Sequence, residues 1–335
     1  MPKNKVTIRE VAARAGVSIS TVSLVLNNQD PVSPETREAV KEAVRELGYV
    51  KNSLAASMKS GHSKMIVAIV PDFINDFFTS AIRGIEEVVS QNGYVTLVFT
   101  TNEAQDKEAA LLGGEIGKMI EGAVLIPAVD DEAFYRHFGK PIVLLDRTVG
   151  MLDAVVVDNH KGAYIATHTL IEAGHRKIAL INGDKDFRIG SERRRGYYDA
   201  MRDAGLPIVP AYIKQGHWYE ESGYQLTQEL LQLADPPTAI FAANSQICIG
   251  CINYLREHHL RIGKDISLIS FDDTLLARIS TPGVTVIDRP TTEMGREAAR
   301  VLLDAITTGR RQQRREVLDV RLIRRDSIAR LPENL

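Results

Sequence analysis

The sequence predicts an α/β protein in two parts: a small helical N-terminal piece, then a long body of two lobes built on parallel sheets. Three observations carry that reading. Apolar residues in the first fifty positions recur at helical spacing between recognisable caps. From about residue 62, apolar runs of strand length alternate with amphipathic helical stretches. A chain of 335 residues also exceeds what one hydrophobic core usually organises. The expected divisions are 1–50, a linker at 51–61 and a body at 62–335, with lobe one at about 62–160 plus 289–325 and lobe two at about 161–288.

Composition sets the outer limits. With 44% hydrophobic and 25% charged residues, the chain is ordinary globular material. Apolar runs such as MIVAIV are too short to span a bilayer, and MPKNKVTIRE carries no apolar leader. A cytoplasmic protein with no membrane partner is expected. Cys248 and Cys251 have Cys-x-x-Cys spacing but no second pair or nearby histidine, so both are expected to pack in the core of the helix SQICIGCINYL. Net charge is −2, yet residues 1–60 hold nine Lys and Arg against six acids, a modest basic excess on a small piece.

Three short helices are expected in that piece. Thr7-x-x-Glu10 is a capping box that opens a helix with Ile8, Val11, Ala12 and Ala15 on one face. Gly16 permits a sharp turn, and Ser18 can cap a second helix in which Val22, Val25 and Leu26 face inward. In the third, Ser33 caps, Pro34 takes the first helical position, Val40, Val44 and Leu47 pack, and Gly48 ends it. Two helices joined by a glycine turn and braced by a third form a helix-turn-helix. The stretch AGVSISTVS, rich in hydroxyls that suit a helix poorly, then has a use. Ser18 and Thr21 can meet phosphates at the helix start, while Ile19, Ser20 and Leu24 point outward towards base edges. A three-helix interaction module without a DNA role is the alternative.

VTIREVAARAGVSISTVSLVLNN, followed by VSPETREAVKEAVRELGYVKNSLAASMKSG, resembles the N-terminus of the LacI/GalR family of bacterial transcription regulators. The resemblance implies a helix-turn-helix DNA-binding domain that holds double-stranded DNA through Thr7, Ser18, Ile19, Ser20, Thr21 and Leu24. It also implies a hinge helix in the linker, folding on DNA, pairing with its twin in a homodimer and supplying Leu54, Ala55, Met58 and Lys59. Met58 stands at the position of the minor-groove wedge, usually leucine, and Ala56 where the family commonly carries arginine. Read without the resemblance, the segment is a linker too short to hold a helix alone.

In the body, the runs MIVAIV, YVTLVF, GAVLIP, IVLL, AVVVD, KIALING, TAIFAA, DISLISF and VTVID read as strands of parallel sheets, with helices such as FTSAIRGIEEVVSQNG between them. TTEMGREAARVLLDAITTG is expected as a helix crossing back over lobe one. The arrangement resembles the periplasmic-binding-protein type I fold, which closes on a small ligand between its lobes.

Ligands bind at strand C-termini in such sheets. Asp146 and Arg147 end IVLLDR, Asn244 follows IFAA, and Asp272 ends LISFDD. Arg193 opens RRRGYYDAM, Trp218 lies in the loop GHWYEESGY, and Phe78 starts the first helix of lobe one. The resemblance implies that all seven contact the effector, with carboxylates and arginines reading hydroxyls and an aromatic face stacking on a ring. Ser245 and Asp76 depart from the family, which commonly has aspartate and proline there.

Enzymatic readings find less support. GGEIGKM at 113–119 lacks the Ser/Thr of a phosphate loop and sits in a helical pattern, and neither G-x-S-x-G nor H-E-x-x-H occurs. His258 and His259 are expected in solvent, and Arg310, Arg311, Arg314 and Arg315 in a solvated turn. No metal or cofactor is expected. The reading is a homodimeric repressor of a near-palindromic operator, controlled by a small molecule, a sugar or sugar derivative, bound between the lobes. The competing reading is a cytoplasmic sugar- or nucleotide-handling enzyme of Rossmann-like fold.

Overall fold

A computed structural model describes residues 6–26, 32–49, 63–183, 188–310 and 313–332. The expected hinge contacts Leu54, Ala55, Met58 and Lys59 lie outside the described residues, as does Arg311. The chain divides into two compact units, Met1–Ser63 and Lys64–Leu335.

The first unit holds α1 (Ile8–Ala15), α2 (Ile19–Leu26) and α3 (Pro34–Leu47). The ends of α1 and α3 fall where their capping side chains and glycines dictate. Thr7 and Glu10 form the capping box on α1, and Gly16 closes the helix in the left-handed region at φ 67°. Ser33 caps α3 with Pro34 at its start, and Gly48 ends it at φ 61°. Val11, Ala12, Val22, Val25, Val40 and Ala43 make the small core, with Ile8, Ala15, Leu26, Val44 and Leu47 packed around it.

The second unit contains two six-stranded sheets. Lobe one is built from β1 (Met65–Val70), α4 (Asp76–Gln91), β2 (Val95–Thr100), α5 (Gln105–Gly113), α6 (Glu115–Met119), β3 (Gly122–Leu125), α7 (Glu132–His137), β4 (Ile142–Leu145) and β5 (Asp153–Val157). Lobe two follows with α8 (Asn159–Glu172), β6 (Ile178–Asn182), α9 (Arg188–Asp203), β7 (Ile213–Gln215), α10 (Glu220–Leu231), β8 (Ala239–Ala242), α11 (Ser245–Glu257), β9 (Ser267–Phe271), α12 (Leu275–Ile279) and β10 (Thr285–Asp288). The chain ends with α13 (Thr291–Thr308), β11 (Arg315–Leu318) and β12 (Arg321–Ile323). The strand orders are β11-β5-β4-β3-β1-β2 and β12-β10-β9-β8-β6-β7, so the second sheet repeats the first strand for strand. All pairings are parallel except β10 with β12.

The chain passes between lobes three times. After β5, Asp158 caps α8, which packs on β9 and β10 of the second sheet. After β10, Arg289 and Pro290 lead into α13, which lies on α4 and on β3, β4 and β5 of the first. Gly84 of α4 and Gly295 of α13 make that contact possible, since a Cβ on either would stand 2.0 Å from a backbone oxygen of the other helix. The third passage corrects the expected boundary. Residues 289–325 do not all belong to lobe one, because β12 leaves β11 after two residues and joins β10. Each sheet gains an outer strand, so the backbone edges of β5 and β10 are paired.

Other expectations resolve by burial and pairing. Both cysteines lie in the core beneath the second sheet, and burial pushes the Cys248 thiol up to about 12. Gly113 ends α5 and Lys118 lies in α6, its ammonium 2.6 Å from Glu115. His258 and His259 are exposed. The arginine run is not a free solvated turn, because Arg310 pairs with Asp153 at 2.8 Å and Arg314 with Glu316 at 2.6 Å. Among the described residues no helix is long and apolar enough to cross a membrane.

Candidate functional site

The outward side of α2 is short, hydroxyl-rich and uncharged, with no acid or base in its first or last turn. Ser18 Oγ accepts from the Thr21 N–H at 3.1 Å and lies 2.6 Å from Ser20 Oγ and 2.8 Å from Thr21 Oγ1. The hydroxyls thus form one local cluster that also caps the helix. Ile19 and Ser20 are exposed and Leu24 is half-buried. Thr7 is exposed at the start of α1, where its N–H donates to Glu10 Oε2 at 2.6 Å.

In the second unit, a cavity of about 820 Å³ opens between the lobes. All seven residues expected there line it: Phe78, Asp146, Arg147, Arg193, Trp218, Asn244 and Asp272. The two aspartates are topological counterparts. Asp146 follows β4 and Asp272 follows β9, the equivalent strand of the other sheet. Each sits in the left-handed region, at φ 66° and φ 72°. Each backbone N–H donates to the neighbouring strand, Asp146 to Val155 at 2.9 Å and Asp272 to Ile287 at 2.8 Å. The same local geometry turns one carboxylate from each lobe into the cleft.

A residue missed in the sequence joins them. Arg289, at the passage from β10 to α13, donates from Nε and Nη2 to the two oxygens of Asp272 at 2.6 and 2.9 Å, and from Nη1 to Asp146 Oδ1 at 2.5 Å. Its guanidinium lies 3.8 Å from the centroid of Phe77, another cleft residue not anticipated. Burial opposes its charge, but Asp272 and Asp146 outweigh that and hold its pKa above the ordinary arginine value. The signal was present: Arg289 directly follows a strand C-terminus, the rule that picked out both aspartates.

The other side chains are held as firmly. Arg193 lies within α9, which begins at Arg188, and not at a helix start as expected. It donates from Nε to Asn159 Oδ1 at 2.9 Å and from Nη1 to the Ala243 carbonyl, with the Phe271 ring 3.8 Å and the Trp218 ring 5.7 Å from its guanidinium. Burial lowers its pKa, with the like charge of Arg289 adding to the effect. Arg147 makes a fork to Glu103, both contacts at 2.7 Å. Asn244 is engaged at both ends, its Oδ1 accepting from Ile247 N–H at 2.8 Å to cap α11 and its Nδ2 donating to the Trp218 carbonyl at 3.0 Å. Trp218 rests on Gly183, where a Cβ would stand 2.0 Å from the indole. The cleft therefore offers aromatic walls and a floor of preorganised charges and polar groups, the composition of a small-molecule site.

A helix-turn-helix unit and a two-lobed ligand body define a DNA-binding transcription regulator. The pattern of the bacterial regulatory proteins, lacI family, matches residues 7–52, and that of the periplasmic binding protein-like domain matches 167–328. The chain is 33% identical over 331 residues, 97% of each protein, to the HTH-type transcriptional repressor CytR of Escherichia coli K12. Its structure is similar to the lac repressor dimer bound to operator and the anti-inducer ONPF, with a TM-score of 0.85 and 25% identity over 97% of this chain and 99% of that one. It is also similar to the complex of the transcriptional regulator CelR with cellobiose, with a TM-score of 0.74 and 32% identity over 96% of this chain and 99% of that one. The chain belongs to the lacI family of bacterial regulatory proteins. These relatives are regulators rather than enzymes.

Proposed function

We propose that the chain acts as a homodimeric, cytoplasmic repressor of a near-palindromic operator, and that a sugar or sugar derivative bound in the cleft sets its operator affinity. Two identical readers on one symmetric body require a symmetric site. Ser18, Thr21 and Thr7 are assigned to the phosphate backbone, Ile19, Ser20 and Leu24 to base edges, and Leu54, Ala55, Met58 and Lys59 to a hinge that enters the minor groove. In the cleft, Phe78 and Trp218 stack on the ring of the effector, while Asp146, Arg147, Arg193, Asn244 and Asp272 read its polar groups.

The observation that carries the effector reading is that seven residues from both lobes line one cavity of about 820 Å³. A ligand touching both sheets favours one lobe arrangement over another, and that difference is the coupling free energy felt at the DNA. The cleft binds and does not turn its ligand over. A thermal-shift screen of sugars, sugar acids and nucleosides tests this, since a ligand selective for the folded state raises the melting point of the core. Silence across the panel would contradict the assignment.

A further inference from the structure

Arg289 stands at one of the three passages between lobes and binds an aspartate of each sheet. With Phe77 on its face and only 5% of its surface exposed, it is held on every side. The floor around it is balanced in charge: Asp146 and Asp272 against Arg289 and Arg193, with Arg147 matched by Glu103. Asp72, Asp130, Glu220 and Glu221 line the cleft further out, three of them exposed. A negative ligand would pass these acids and then meet a floor with no net positive charge to repay its desolvation. A neutral ring with hydroxyls meets no such barrier. It finds the second oxygen of Asp146, which has no partner among the described residues, and the fork of Arg193, whose Nη2 has none there either.

We propose that Arg289 is a positioning residue of the effector site, tying one carboxylate from each lobe to a single guanidinium, and that the neutral floor so formed selects an uncharged polyhydroxylated ligand over its carboxylated or phosphorylated counterpart. This rests on the effector reading above. Without Arg289, Asp146 and Asp272 lose their common partner, and Arg193 on α9 and Arg147 are the cations left in the cleft lining. Glu192, Asp273 and Asp288 stand nearby as further acids. In Arg289→Gln the repulsion between the two carboxylates, no longer offset by a common guanidinium, disfavours the state in which both are charged. Their protonation is then favoured in the folded state, which adds stability at low pH that is lost as pH rises.

The test uses the full chain in two arms. In the first, melting midpoints of the parent, Arg289→Gln, Arg289→Lys and Arg289→Gln/Asp146→Asn are measured at about pH 5 and about pH 8. Arg289→Gln should fall further below the parent at the higher pH, Arg289→Lys should show a smaller difference, and the double variant should lose it. Equal deficits at both pH values would overturn the tether. Should Arg289→Gln not fold, recovery of folding in the double variant makes the same point, and failure of both with Arg289→Lys folded but showing no pH-dependent deficit counts against it. In the second arm, glucose, cellobiose, ribose and adenosine are compared with glucuronate, ribose 5-phosphate and adenosine monophosphate. A neutral compound should raise the midpoint and its charged partner should not, and Arg289→Gln should bind the neutral one about tenfold more weakly. A larger shift with the charged partner would overturn the selectivity. Silence from the whole panel would sink the effector reading and the ligand half of this inference with it, while the pH arm still judges the tether.

Discussion

The two recognition surfaces proposed for this chain are built in opposite ways. The outward face of α2 carries no charge, exposes Ile19 and Ser20, and keeps the hydroxyls of Ser20 and Thr21 in one small cluster around Ser18. The cleft buries Arg193, Arg289, Asp146 and Asp272 and holds each through partners on other elements. Exposed hydroxyls and aliphatics exchange water for DNA at little cost, and their readout depends on where a helix of eight residues is held. Buried charges must be preorganised before any ligand arrives, or their desolvation would be prohibitive. The first surface is specified by the small core behind it; the second, by the topology that brings two strand ends together.

The largest effect should come from attacking the support of α2. Val22 is fully buried in the core of the first unit, and Val22→Asp would place an unpaired carboxylate there. A cost of about 3–5 kcal/mol should unfold so small a unit. Binding to a DNA site selected by the parent should fall by about a thousandfold or more in an anisotropy titration, while the core keeps its own melting transition. If the variant still binds, recognition does not depend on this three-helix unit.

A smaller change should follow on the reading face itself. Leu24 is half-buried on α2, and an apolar side chain there favours a thymine methyl. Leu24→Arg should move the preferred site towards guanine at one symmetric pair of positions, by about 1–3 kcal/mol. Selection from a randomised library reads this directly, and unchanged sites would remove Leu24 from the base-contacting set. The smallest effect belongs to Thr7→Ala, which removes the capping box of α1. It should lower the stability of the first unit by about 1 kcal/mol without altering the selected sequence. A changed sequence would mean that Thr7 reads bases.

Much of this was legible because the relevant signals are local. Caps and glycines mark the helices of the first unit, and nine strands, the edge strand β2 among them, announce themselves as apolar runs. The strands β7, β11 and β12 did not, because IKQ, REVL and RLI are three or four residues long and each includes a charged side chain, leaving no apolar run to notice. Asp146 and Asp272 were found because each directly follows a strand. Arg289 follows a strand in the same way; what could not be read was that it pairs with both, across 143 residues to Asp146 and 17 to Asp272. Nor did the local pattern show that Asn244 spends its amide on a helix cap and on the Trp218 loop. Those facts belong to the packing of two sheets, which no single stretch contains.

The central claim is that the cleft governs DNA binding, and Arg193→Ala tests it most directly. Arg193 lies on α9 beside the cavity, outside both sheets though packed on Phe271 of β9, and the variant is expected to keep a cooperative melting transition and to hold a selected operator as the parent does. Loss of its hydrogen bonds should weaken the effector by about tenfold or more. The measurement is an operator-binding titration of both proteins, with and without a ligand that raises the parent's melting point. The expected result is a ligand-dependent shift in operator affinity for the parent that is lost or moved to much higher ligand concentration in Arg193→Ala, with ligand-free affinities alike. Identical ligand responses in the two proteins would contradict the account.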